Sequence, residues 1–328
     1  MSHHTLDEIE ALTRRALLAQ GAAPPAAKAV ARAVRDAEGH GNKICGLYYV
    51  ESYCLQLQSG RVLGDVTPRV STRRAGAIHV DAGFGFAQPA FDAGLGLALE
   101  AAQQNGTASL AVAHAHTCTS LGYFTEQIAR EGCIGLGFTN ASPIVAPPGG
   151  KTRVIGTNPI AFSVPDGAGG LAMHVDQSTS TVALGKITMA KALGQQIPPG
   201  WAVDKDGAPT TDPEAALSGA LVSVGGYKGW GFGLMAEILA AGMTGSALSR
   251  DVRPLKTPDG PHHDLGQFYL LIDPGTAPEF ARRMESLAQS VALDPGARLP
   301  GQNRTMAETV EVDPRTWSRL QELAEAEG

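Results

Sequence analysis

Apolar positions in the first sixty residues recur every three or four places, the period of helices with one face turned to a core. Leu6, Ile9, Leu12, Ala16 and Leu17 make the first such face, after a Thr5–Glu8 pair at capping-box spacing and before a stop at Gly21. Pro24-Pro25 opens a second helix with Ala27, Val30, Val34 and Ala37 inward, ending at Gly39-His40-Gly41. A third spans about 46–59, with Leu47, Val50, Cys54 and Leu57 on one side and Gly60 as its stop. From Ala77 the pattern changes to alternation and short unbroken apolar runs, which predict strands at 78–80, 108–112, 133–138, 160–164, 173–175 and 267–272. Helices are predicted from Pro89, near 181–193, over 228–243, around Phe280, Met284, Leu287 and Val291, and after Asp313-Pro314 with Trp317, Leu320 and Leu323 inward. Residues 195–213 hold four Pro and two Gly and read as a turn-rich surface excursion.

These elements describe an α/β chain. At roughly 100–200 residues per domain, 328 residues suggest two associated units. Residues 1–75 with 265–328 form a helical one, and 76–264, carrying the excursion, an α/β one. Hydrophobic residues at 43% against 18% charged supply a sizeable core. No run approaches the ~18 apolar residues of a membrane span, and the opening Met1-Ser2-His3-His4-Thr5 lacks a signal-peptide pattern, so a cytoplasmic chain without a membrane partner is expected. A net charge of −6 without a basic stripe disfavours nucleic acid as a partner. The four cysteines include no C-x-x-C, which leaves neither a disulfide framework nor a zinc ribbon.

Candidate chemistry is local. A G-x-G-x-x-G fingerprint is absent, and Gly229-Trp230-Gly231-Phe232-Gly233 has the wrong spacing for one. His114, His116 and Cys118 would share one face of an extended strand, either as a soft-metal site or as hydrogen-bonded groups in a cleft or core. Cys45 begins the third helix, where free amides and the helix dipole would lower its pKa; the alternative is a small buried hydrophobe. Asp176 follows a strand and reads as an orienter or proton relay, or else as a helix cap. Lys186 and Lys228 adjoin glycines, which suits phosphate contact.

Several segments together resemble the type-2 malate/L-lactate dehydrogenase family, which is unrelated to Rossmann-type lactate dehydrogenase. They are Phe138-Thr139-Asn140-Ala141-Ser142, Pro147-Pro148-Gly149-Gly150, Gly156-Thr157-Asn158-Pro159-Ile160, Val175-Asp176-Gln177-Ser178-Thr179-Ser180 and Gly225-Gly226-Tyr227-Lys228-Gly229. Val80-Asp81-Ala82-Gly83-Phe84-Gly85-Phe86-Ala87-Gln88-Pro89 and Thr210-Thr211-Asp212-Pro213 bring the chain nearest to the Δ1-piperideine-2-carboxylate/Δ1-pyrroline-2-carboxylate reductases. The resemblance implies a homodimeric, non-Rossmann α/β fold that binds NADPH or NADH in its α/β unit. The helical unit would serve dimerisation and the substrate side, and no metal is implied. Ser120, Thr139, Asn140, Gly156, Thr157, Asn158, Lys186, Tyr227, Lys228 and Gly229 would line the cofactor. Cys45, Asp176 and His116 would be catalytic, and Tyr49, Thr117 and Gly149 would meet the substrate.

Three positions depart from the pattern. Cys45 stands where the family carries a catalytic histidine, Tyr49 where it carries a carboxylate-binding arginine, and Thr117 where a second histidine is usual. Reduction of a ketone makes an alkoxide that needs a proton, whereas a cyclic imine can bind already protonated. Loss of the histidine therefore favours a reductase of a cyclic 2-imino acid over a malate-, lactate- or sulfolactate-type dehydrogenase acting on a 2-oxo acid. A protein that binds the cofactor without catalysis is the reading from another class.

Overall fold

In the computed structural model, which describes residues 2–325, the chain begins β1 (Ser2–Thr5), α1 (Leu6–Ala19), α2 (Pro24–Gly39), α3 (Leu47–Gln58). It continues β2 (Arg69–Arg74), β3 (Ala77–Asp81), α4 (Ala87–Asn105), β4 (Thr107–Ala115), α5 (Gly122–Arg130), β5 (Ile134–Thr139), β6 (Ile160–Pro165), β7 (Leu171–Gln177) and α6 (Leu184–Ala192). Then come β8 (Ala202–Val203), β9 (Pro209–Thr210), α7 (Pro213–Ser218), β10 (Ala220–Leu221) and α8 (Tyr227–Glu237). The chain closes with β11 (Leu265–Ile272), α9 (Phe280–Val291), β12 (Thr309–Val312) and α10 (Pro314–Glu325).

The helical pattern at the N-terminus is realised as read. Thr5 Oγ1 accepts the Glu8 amide N–H at 3.2 Å while the Glu8 carboxylate accepts the Thr5 N–H at 2.7 Å. Ile9, Leu17, Val30, Val34, Val50 and Tyr53 of α1–α3 close one core, completed by Leu320 and Leu323 of α10. Two strands that the sequence pattern does not announce tie its ends: β1 pairs antiparallel with β12. Ser2–Thr5 carries no apolar residue, so its strand is made by the partner, which buries Val310 and Val312 on alternate positions.

The second core lies on a seven-stranded mixed sheet, in the order β2-β3-β4-β11-β5-β6-β7, with β3 and β4 parallel and the other neighbours antiparallel. The strand β11, grouped by sequence with the helical unit, is in fact the middle of this sheet, paired on both sides. Phe91, Leu110, Val112, Phe124, Tyr269 and Leu271 fill the space under α4 and α5. The predicted helix 228–243 is α8 followed by a π turn, Ile238–Gly242. That turn presses on β11 so closely that a Cβ at Gly266 would lie 1.8 Å from the Ala240 carbonyl oxygen.

The excursion 195–213 is more than turns. Its strands β8 and β9 join β10 in a three-stranded sheet, and Val145, Ile155, Val182, Ile187, Ile197 and Leu221 form a third core beneath it. Two-residue strands are too short to show any period, so their pairing was invisible in the sequence.

Candidate active site

Asp176 lies in the last turn of alternation of β7, two residues after His174, and the period of a strand puts both on one face. That face meets the start of α5, where a Cβ at Gly122 would lie 2.8 Å from both Asp176 Cβ and His174 Nε2. The bare glycine lets its own N–H donate to Asp176 Oδ2 at 2.8 Å, and Ser120 Oγ donates to the same oxygen at 3.3 Å. Crowding by protein atoms raises the Asp176 pKa; desolvation outweighs the Gly122 hydrogen bond, the nearby His174 and the Ser120 hydroxyl. The carboxylate reaches solvent through a cavity of about 410 Å³, lined also by His40, Asn42, Arg298, Asn303 and Arg304. It does not cap the helix that follows it, since α6 starts at Leu184 with Ala183 as N-cap; the helix end it meets is that of α5, through the Gly122 N–H.

Cys45 is close enough to feel the Asp176 charge, but the expected lowering of its pKa is overturned. The residue ends a 3-10 turn (Lys43–Cys45), and Gly46 is the N-cap of α3. The free amide that would stabilise a thiolate is already taken, because Glu38 Oε1 accepts the Leu47 N–H at 2.7 Å. Burial, then the Asp176 charge, push the thiol up to about 12. Cys45 is a protonated thiol.

The shared face of His114, His116 and Cys118 does not form. Strand β4 ends at Ala115, and His114 takes a left-handed φ of 52°, which breaks the alternation. His114 Nδ1 pairs with Asp264 Oδ1 at 2.7 Å. His116 turns the other way and is fully buried, its Nε2–H donating to Gln56 Oε1 at 2.6 Å and its ring stacked 3.9 Å from that of His263. Burial holds both imidazoles neutral, His263 down to about 3. His116 thus sits behind the cleft as a packed core histidine rather than inside it as a proton relay. Thr117 is buried beside it, its N–H donating to His263 Nδ1 at 3.3 Å, and Tyr49 is buried against Tyr53.

The expected cofactor positions divide into frame and rim. Thr139 Oγ1 donates to Gly266 O at 2.8 Å, and Asn140 Nδ2 to Ala247 O at 2.9 Å. Asn158, fully buried at φ 34°, donates to Gly233 O at 3.1 Å and Glu237 Oε2 at 2.7 Å. These side chains brace α8 and the segment after it. Gly156 packs on Ala141, and Thr157 receives Thr179 through its carbonyl at 2.9 Å while its side chain stays half-exposed. At the rim, Gly149 borders a second cavity of about 550 Å³ with Pro147, Thr181, Val222, Gly225 and Gly226. Thr181 N–H donates to Val222 O and Val224 N–H to Thr179 O, an antiparallel bridge that ties the segment before α6 to the segment before α8. Lys186, Tyr227 and Lys228 are exposed in the first turns of those helices; Gly229 is buried, where a Cβ would meet Val224 O at 2.1 Å.

Sequence reasoning missed His40, His174, Arg298 and Arg304. His174 was legible, since period two from Asp176 picks it out. The arginines carry no local signal: Pro300 O accepts the His174 N–H at 2.9 Å, and Arg304 pairs with Glu126 and Asp36, so only the folded chain brings them to the cavity.

A mixed α/β body with this cleft defines a class of protein, and residues 4–321 match malate/L-lactate dehydrogenase; the chain belongs to that oxidoreductase family. The (2R)-3-sulfolactate dehydrogenase (NADP(+)) of Chromohalobacter salexigens is 38% identical over 92% of this chain and 90% of its own. The Δ1-pyrroline-2-carboxylate/Δ1-piperideine-2-carboxylate reductase of Pseudomonas syringae pv. tomato is 36% identical over 95% of this chain and 94% of its own. The crystal structure of Δ1-piperideine-2-carboxylate reductase from the same organism superposes with a TM-score of 0.91 at 34% identity, covering 98% of this chain and all of that one (100%). The sequence resemblance is therefore correct.

Proposed function

We propose that the protein reduces the C=N bond of a cyclic 2-imino acid, such as piperideine- or pyrroline-2-carboxylate, with NADPH or NADH. The residues present suit such a cofactor. The Gly225-Gly226 turn, at φ 60° and 65° with open space around both glycines, leads into the first turn of α8, where Lys228 is exposed to anionic oxygens, and Lys186 is likewise exposed in the first turn of α6. A bound dihydronicotinamide would supply the hydride.

The observation that carries the reading is the state of Cys45. A general acid works best with a pKa near the working pH, and a thiol held at about 12 is far from it. An alkoxide product would lack a good donor there. An iminium brings its own proton and becomes a neutral amine on accepting hydride, and Asp176 in its carboxylate form would offset the positive charge. The test is a panel of cyclic imino acids and of pyruvate, oxaloacetate and sulfopyruvate with both reduced cofactors, followed by loss of reduced-nicotinamide absorbance. Comparable kcat/KM on the oxo acids with no imine turnover would overturn the proposal.

A second reading, a 2-hydroxy-acid dehydrogenase, is favoured by one observation. Arg298 borders the Asp176 cavity with no carboxylate partner among the described residues and offers a cation to a second anionic group, as a sulfonated acid would require.

The working unit in this proposal is a homodimer. Phe232, Met235, Ile238 and Met243 are exposed along α8 and its π turn, and the one charged residue among 229–243, Glu237, is buried. An uncharged apolar helical surface of this kind suits a second copy of itself. Light scattering should give a dimer, and Ile238→Glu should shift it to monomer.

A further inference from the structure

The two groups expected to carry protons beside Asp176 do not serve. Cys45 holds its proton up to about 12, and His116 is packed behind the cleft against Gln56 and His263. Another imidazole stands in the cavity itself. His174 precedes Asp176 by two residues on β7 and shares its face, and both side chains close on Gly122 at the start of α5. Its backbone is pinned from beyond the sheet edge, since Pro300 O accepts the His174 N–H at 2.9 Å and Gly301 packs on its Cβ.

A chain of buried hydroxyls fixes which ring nitrogen carries the proton. Thr125 Oγ1 lies 3.2 Å from Gly122 O, and a carbonyl can only accept, so the Thr125 hydroxyl donates there. Thr125 Oγ1 therefore accepts the Ser163 hydroxyl at 2.8 Å, and Ser163 Oγ in turn accepts His174 Nδ1–H at 2.8 Å. Ser163 stands directly across from His174 in the pairing of β6 with β7, and both hydroxyl residues are fully buried. With Nδ1 protonated, the neutral ring has a bare lone pair at Nε2. That atom has no hydrogen-bond partner among the described residues, and the ring borders the same cavity of about 410 Å³ as Asp176. The charged groups around it are Asp176 on its own strand, Asp36 and His40 of α2, Arg130 of α5 with its partner Glu126, and Arg298 and Arg304 beyond α9. Burial outweighs the two carboxylates and lowers the His174 pKa, which keeps the lone pair free at neutral pH. His40 is turned to Asp36 instead, its Nδ1 3.0 Å from Asp36 O.

We propose that His174 carries protons between the solvent of the cavity and Asp176, taking one on Nε2 and handing it to the carboxylate. The inference rests on the imino-acid reading and adds the source of the proton when the substrate does not bring it. The Asp176 carboxyl gives its proton to the ring nitrogen of a neutral imine, whose lone pair forms the new N–H bond. Hydride then adds to the carbon of the iminium, and the C=N π pair becomes the lone pair of the amine. Asp176 is left as a carboxylate, and His174 recharges it from water. His174 thus acts through Asp176 and not on the substrate.

The test measures kcat/KM for pyrroline-2-carboxylate from about pH 6 to about pH 9.5 in wild type, His174→Asn and His174→Gln. The asparagine amide can still donate to Ser163 but leaves nothing at Nε2; glutamine puts there a polar group that does not titrate. Below the imine's own pKa the substrate arrives as the iminium, and both variants should match wild type within about threefold. Above it they should fall behind, by about tenfold or more at the alkaline end. A loss equal at every pH, or no loss, overturns the relay. Nitrogen-15 NMR of the histidines at neutral pH reads the hydroxyl chain without turnover. His174, assigned by its disappearance in the variants, should carry its proton on Nδ1, and Ser163→Ala should shift it to Nε2. A wild-type ring protonated on Nε2 overturns the relay whatever the kinetics. If wild type reduces oxo acids alone, the imino-acid reading falls. An alkoxide needs a proton at every pH, so the relay then stands if both variants lose that reduction throughout, and falls if they do not.

Discussion

The neighbourhood of Asn158 and the cleft at Asp176 are both built from segments that match the family pattern, yet they do opposite things with polar atoms. Around Asn158 everything is partnered: its amide holds Gly233 O and Glu237, and Glu237 in turn accepts the Ser249 N–H at 2.6 Å and the Ser249 hydroxyl at 2.5 Å. At Asp176 the carboxylate has two donors, a raised pKa and a cavity in front of it. A closed network stabilises a single arrangement. An open one retains capacity for something that arrives. Motif residues of the first kind report the fold, and those of the second kind report the chemistry.

The sharpest way to break the comparison is Asp176→Asn. In the proposed reaction Asp176 faces the iminium, and removal of its charge should lower kcat/KM by about 10²–10³. Stability should move the other way. A carboxyl whose pKa is raised in the fold contributes stability below its unfolded value, and that contribution is lost as pH rises through the folded pKa, so ionised Asp176 is a cost at neutral pH. Asparagine avoids that cost, and the melting temperature at pH 7 should hold steady or rise. A fall of several degrees with intact activity would make Asp176 a bracing residue like Asn158.

Asn158→Leu is the converse. It strips a buried carboxylate of one of its donors and should cost about 2–4 kcal/mol, seen as a melting temperature lower by about 5 °C or more. At a temperature where the variant is folded, KM for the imine should be nearly unchanged. A selective rise in KM for the reduced cofactor without loss of stability would return Asn158 to the cofactor site.

The sequence revealed these two regions unequally for physical reasons. The framework was legible wherever the signal is local: the Thr5–Glu8 cap, the Pro24 start of α2 and the alternation in β7 all act within a few residues. It was not legible where a partner makes the strand. The edge strand β2, Arg-Val-Ser-Thr-Arg-Arg, is exposed throughout and exists because it pairs with β3. In the cleft, Asp176 was found from its place at a strand end. The acidity expected of Cys45 failed because the fold buries the thiol and sets it near the Asp176 charge, while the Leu47 amide at the helix start is taken by Glu38; the imidazole face failed on the backbone turn at His114. Neither of those facts is written in spacing.

The buried histidine pair offers a smaller effect, measured by pH. His263 is held down to about 3 and His116 well below its usual value, in both cases chiefly by burial. An imidazole depressed in the fold contributes stability above its unfolded pKa of about 6.5, which is lost as pH falls toward the folded value. The melting temperature should therefore decline from pH 6.5 toward pH 4, and His263→Gln should flatten that decline while leaving imine turnover at pH 7 within a few-fold. A steep activity loss at neutral pH would place the pair in the proton path after all.

The smallest expected effect is at Cys45, and it separates the two substrate classes. A thiol that never ionises near neutral pH contributes volume and little acidity, so Cys45→Ser should leave kcat/KM for a cyclic imino acid within about threefold. The same change would be severe if the thiol were donating a proton to an alkoxide. Cys45→His sharpens the test, because it puts an imidazole beside Asp176, where the carboxylate charge would favour its protonated form. That variant should gain reduction of oxo acids by about tenfold over wild type while imine reduction changes little. If Cys45→Ser abolishes imine turnover, the thiol is the acid and the iminium argument fails; if Cys45→His gains nothing on oxo acids, the cleft excludes them for a reason other than the missing proton.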